Sequence, residues 1–277
     1  MRRAAALLAL CALLAGCAGN GEDANEVLSE TAANLGKIRS GTLHVDVRLE
    51  PRGPSGAEPF GFTLDGPFSL AGPGRLPVAN VEYTQTVGED DATVTLISTG
   101  RNAYVRTQGR TYELRPDQEA VLGGATSQLR ASGRLGEFAI DEWIEDAEVD
   151  DGGDVGGAET DHVQAELNVV NAIRDLTALA RQAGQDVPAL TDRDADRLAD
   201  SVRSSRFEVY TGKEDRLLRR LELEIDFGLD VPKELRSALG SLVGGRLVFE
   251  LGVDDPNRNV TVAEPENARP SSELPQG

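Results

Sequence analysis

The side chains able to do chemistry are few in kind. The chain has two cysteines, two histidines and 47 acidic residues. Cys11 and Cys17 both fall in the first segment. His44 and His162 alternate with apolar residues in extended stretches, a pattern that turns both rings away from a core. They lie far apart in sequence, and neither sits beside a serine it could activate. The sequence holds no Gly-x-Ser-x-Gly elbow, no Gly-rich phosphate loop and no His-Glu-x-x-His. Asp150-Asp151-Gly152-Gly153-Asp154 offers the hard oxygen donors that calcium takes. It lacks the spacing and terminal glutamate of an EF-hand, and reads as a solvated acidic loop. The expectation is no catalytic residue, no metal ligand set, no cofactor and no enzyme.

Cys17 carries the one specific signal. Arg2 and Arg3 form a positive start, Ala4 to Leu14 is an apolar run, and Leu14-Ala15-Gly16-Cys17 follows. The run is too short to span a bilayer. In this order the features match a bacterial lipobox, in which the cysteine sulfur receives a diacylglyceryl group and the peptide is cut before it. The organisation expected is a signal peptide at 1–16, a lipidated tether at 17–24, a folded domain at 25–265 and a disordered tail at 266–277. Cys11 leaves with the signal peptide, and lipidation consumes the Cys17 thiol. The mature domain must then fold by core burial alone. Such a protein sits in the cell envelope, anchored to the outer face of the cytoplasmic membrane.

The formal charge of −19 argues against nucleic acid, whose phosphates need clustered Lys and Arg. Apolar residues make up 39% and aromatics 4%, so the core must come from Val, Leu, Ile and Ala.

The elements that would position these residues are mostly strands. Asn25–Ile38 has one apolar helical face ending at Ser40-Gly41. In Thr42–Glu50, Leu43, Val45, Val47 and Leu49 alternate with His44, Asp46, Arg48 and Glu50. Strands are expected at Phe60–Leu70, Val78–Val87, Ala92–Ser98, Asn102–Thr107, Arg110–Leu114, His162–Val169, Phe207–Thr211, Leu217–Phe227 and Gly245–Val253. Helices are expected at Asp117–Leu129, Leu135–Ile144, Val169–Ala183 and Thr191–Val202. Asp150–Thr160 reads as an acidic Gly-rich loop. The fold class is α+β, a curled antiparallel half-barrel sheet of about ten strands with helices covering the concave face.

In this order of elements the sequence resembles the LppX/LprAFG lipoproteins of actinobacteria, and more distantly LolA and LolB. The likeness rests on the lipobox at Cys17 and the helix-to-strand entry Glu26–Leu49. It rests also on Gly100-Arg101-Asn102-Ala103-Tyr104-Val105, followed by Gly109-Arg110-Thr111-Tyr112-Glu113-Leu114, and on Gly157–Val163. The resemblance implies a half-barrel closed by helices around a hydrophobic cavity. It further implies a non-enzymatic carrier of acylated lipid or glycolipid, held on the membrane through Cys17, with an envelope protein as transfer partner. The alternative is a protein-interaction or sensory module on the same fold. The cavity-wall residues expected are Leu43, Val45, Val47, Phe62, Leu64, Leu223, Ile225, Leu247 and Phe249.

Overall fold

The computed structural model describes residues 23–53, 58–72, 75–120, 122–123, 143–172, 174, 191–228 and 244–273. Cys17 and the segment before it lie outside the described residues. So does most of the expected helices Asp117–Leu129, Leu135–Ile144 and Val169–Ala183, although helix begins at 116–120 and at 169–172.

The strands are β1 (Ser40–Arg52), β2 (Phe60–Ser69), β3 (Val78–Val87), β4 (Asp90–Thr99), β5 (Ala103–Thr107) and β6 (Arg110–Glu113). They continue with β7 (Ile144–Val155), β8 (Ala158–Leu167), β9 (Val202–Gly212), β10 (Leu218–Gly228), β11 (Gly244–Asp254) and β12 (Arg269–Pro270). Two helices, α1 (Ala24–Asn34) and α2 (Asp192–Ser201), accompany them. All the strands join one curled 12-stranded sheet in the order β12-β6-β5-β4-β3-β2-β1-β11-β10-β9-β8-β7. Every pairing is antiparallel except β12 on β6. The chain lays down β1 to β6 as a meander on one side of β1. It then fills the other side from β7 inward to β11, which closes against β1.

The sheet therefore has twelve strands rather than about ten. The additions are β7 and β12. The stretch Asp150–Thr160, expected to be a loop, is a hairpin: β7 pairs with β8 through a tight turn at Gly156-Gly157. Both turn glycines have positive φ, 58° and 79°, which suits the right-handed twist of a hairpin. Gly152-Gly153, inside the expected loop, is a bulge, where the Gly153 N–H donates to Asp151 Oδ1 at 2.9 Å. Ile144, expected to end a helix, opens β7 instead. In the tail expected to be disordered from 266, Arg269–Pro270 pairs with Tyr112–Glu113 of β6.

β7 is an edge strand with exposed Glu145, Asp146, Glu148, Asp150, Asp151 and Asp154, and two register shifts interrupt its pairing. Charge and bulges together make such an edge a poor template for a second chain.

The buried core lies at the β7–β10 side. α1 opens with Asp23 as cap, whose Oδ1 accepts the Asn25 N–H at 2.9 Å. Its inner face carries Val27 and Leu28, 1% and 3% exposed, against Val163, Phe207, Val209 and Leu218. Each such side chain is worth about 1.5–3 kcal/mol of burial. The helix is thereby fixed to the sheet by its own apolar stripe.

Candidate functional site

In an antiparallel sheet, residues paired across strands share a face, so register decides what the apolar side chains build. The central strands β10, β11, β1 and β2 align theirs in rows. One row runs Leu221, Leu251, Val45, Leu64 and on to Tyr83. The next runs Phe207, Leu223, Phe249, Val47 and Phe62. A third runs Ile225, Leu247, Leu49, Phe60 and Val87. Leu43 extends the surface beside Val253. All nine residues expected as cavity walls thus fall on one continuous face.

These residues are not packed like the core at β7–β10. Ile225 is buried, whereas Leu43, Val45, Val47, Phe62, Leu64, Leu223, Leu247 and Phe249 keep intermediate exposure. Exposure rises toward one end of the strands, where Phe60 and Val87 face each other at 40% and 42%. The Phe62 and Tyr83 rings lie 5.9 Å apart and tilted by 36°. Such a face offers dispersion and dryness, with no charge to satisfy. Leu49, Leu221, Leu251, Phe60, Phe207, Val87 and Tyr83 complete the rows and were not among the expected wall residues. The first three sit in the same alternation as their neighbours and could have been read from it. Tyr83 is harder to see because Gln85 interrupts the apolar alternation of β3.

The opposite face is ionic. Arg246 Nη2 bonds Glu224 at 2.6 Å, and Arg220 reaches Glu222 at 3.5 Å and Glu250 at 3.7 Å. Arg52 clamps Asp226, and that hydrogen bond holds the Asp226 carboxyl below its ordinary range. Both histidines belong to this face. His44 sits between two carboxylates, with Nδ1 2.7 Å from Asp65 and Nε2 3.1 Å from Asp254. Desolvation alone would lower its pKa, but the hydrogen bond to Asp65 and the two negative charges prevail and raise it. His162 stacks on Tyr210 with ring centroids 4.2 Å apart, its Nε2 3.2 Å from Glu208. Neither ring approaches a nucleophile in these contacts. Among the described residues no cluster of His, Cys, Asp and Glu could hold a metal ion. Among them, too, no helix is long and apolar enough to cross a membrane.

No family model and no curated protein matches the sequence. Solved structures to which the chain is similar include two from mycobacteria. One is LprF from Mycobacterium bovis, at 10% identity and TM-score 0.45, over 89% of this chain and 99% of that one. The other is the lipoprotein LppX from Mycobacterium tuberculosis, at 14% identity and TM-score 0.41, over 87% of this chain and 98% of that one.

Proposed function

We propose that the protein is a membrane-tethered lipoprotein that binds, and passes on, acylated lipid against the apolar face of β10, β11, β1 and β2. The observation that carries this reading is the set of half-buried apolar rows centred on Val47, Phe62 and Phe249. An ordinary core would have closed over them, as it has over Val163 and Phe207. An acyl chain laid on this face replaces water with dispersion contacts, a gain of about 0.8 kcal/mol for each buried methylene. The lipobox at Cys17 supports a site of action beside a bilayer, where such chains are found. The chain's own residues do the work by exclusion of water and by shape, and no group donates or accepts a proton in the process.

A fluorescent fatty acid tests the reading. The full chain is expected to enhance its emission and to release it to an unlabelled competitor. Val47→Trp would fill the middle of the rows and is expected to abolish the signal while thermal melting stays within a few degrees. No enhancement by the unaltered chain, or equal enhancement by the variant, contradicts the proposal.

A further inference from the structure

Away from the apolar face, a cavity of about 640 Å³ opens between the segment before β3, the β4–β5 turn and the chain after β6. Its lining includes Arg75, Leu76, Thr99, Gly100, Arg101 and Glu119. With 28 basic residues against 47 acidic ones, many arginine side chains here have a carboxylate to hold. Arg52, Arg216, Arg219, Arg246 and Arg258 each do. Arg75 and Arg101 enter no ion pair and no side-chain hydrogen bond among the described residues, although both line one space.

The other polar groups of the cavity are already committed. Thr99 Oγ1 accepts the N–H groups of Arg101 and Asn102, at 3.4 and 3.2 Å. The Gly100 N–H goes to Ser98 Oγ at 3.4 Å. Glu119 Oε1 accepts the Ala103 N–H at 2.8 Å. Glu119 is the one carboxylate among the lining residues, against two arginines. The global charge of −19 opposes an incoming anion. Screening limits that opposition to about 8 Å at physiological salt, so charges inside the cavity outweigh the distant acids. A guanidinium presents paired N–H donors that match two oxygens of a phosphate or carboxylate.

We infer that this cavity is a binding site for an anionic oxyacid group, a phosphate or a carboxylate, held between Arg75 and Arg101. The group can come from a free anion or from the head of an amphiphile. The inference stands apart from the reading of the apolar face, since it needs no acyl chain.

Calorimetric titration of the full chain with two probes, inorganic phosphate and dihexanoyl phosphatidic acid, tests it. Binding of phosphate alone identifies a free-anion site, and binding of the short lipid that persists in Val47→Trp, with or without phosphate, identifies a headgroup site. In either case Arg75→Gln with Arg101→Gln is expected to weaken binding by about tenfold or more, the scale of losing charge-assisted bidentate contacts. Glu119→Gln keeps the acceptor for Ala103 and removes the opposing charge, so it is expected to tighten binding. Both arginines are exposed, and their replacement should leave the melting temperature unchanged. Failure of both probes to bind, or binding of phosphate, or of the short lipid in the Val47→Trp background, that the double variant leaves intact, overturns the inference. Failure of fatty-acid binding with retained phosphate binding would sink the carrier reading and leave this site standing.

Discussion

Thr31 Oγ1 on α1 lies 2.9 Å from Thr211 Oγ1 on β9, across 180 residues of sequence. Both residues are buried, and both hydroxyls also reach a backbone carbonyl, Val27 O at 2.8 Å and Leu217 O at 3.3 Å. The pair fastens α1 to the sheet at the tip of the β9–β10 hairpin, where Arg216 also meets Glu30 at 3.1 Å. Thr211→Val leaves the Thr31 hydroxyl without this partner, at a cost of about 1–2 kcal/mol in urea unfolding. Thr31→Val should cost a similar amount. The double variant should cost less than the sum, because the two hydroxyls share one bond. Additive losses would show that the contact carries no coupling.

His44 makes stability depend on pH. Its pKa is raised in the folded protein, so the charged ring is favoured by folding. The sign follows directly: the contribution is complete below the unfolded value of about 6.5 and disappears as pH rises through the folded value. His44→Gln should therefore destabilise the protein more at pH 5 than at pH 8. With the ring 44% exposed, solvent screening keeps the effect small. A loss that is larger at pH 8 would contradict the assignment.

Gly66 is required by the close approach of β2 to β3. Its φ is +141°, and a Cβ there would stand 2.1 Å from the Asn80 carbonyl oxygen. Backbone cannot yield as a side-chain tip can. Gly66→Ala is expected to cost about 2–4 kcal/mol and to broaden amide signals along Val78–Val87. A variant as stable as the parent would mean that the strands separate there at no cost.

The anchor prediction concerns Cys17. Cys17→Ser removes the sulfur to which a diacylglyceryl group would attach, and with it the acyl hold on a bilayer. Fractionation of a bacterial host should move the protein from membranes to the soluble envelope fraction. Unchanged membrane association would contradict the lipobox reading.

The strong strands were legible because alternation and burial agree in them. Val78–Val87 is predicted residue for residue, and Leu43–Leu49 and Leu221–Phe227 alternate cleanly on a half-buried sheet. β7 was not, because its outward residues are acids and its glycines imitate a turn. Edge strands need only one paired side, so their composition can follow charge rather than burial. β12 was hidden for a related reason: its two residues, Arg269 and Pro270, gain order from β6 and from the nearby Tyr104–Glu264 hydrogen bond at 2.5 Å, neither visible as local pattern. The apolar face was readable as a set of residues, but which of them stay half-buried depends on what packs above the sheet. Register, not composition, brought Phe249 beside Val47 and Phe62. The convergence of Arg75 and Arg101 on one cavity had no counterpart in sequence, since it depends on the segment before β3 meeting the β4–β5 turn.

The central claim is that the rows around Val47, Phe62 and Phe249 hold acylated lipid. Native mass spectrometry of the mature protein, purified from a bacterial host and released from detergent in the gas phase, reads this directly. The expected result is a mass above that of the lipidated chain, carried by a species that extracts into organic solvent and fragments to acyl groups, and its loss in the Val47→Trp variant. A bare mass that stays bare after incubation with phospholipid vesicles would contradict it.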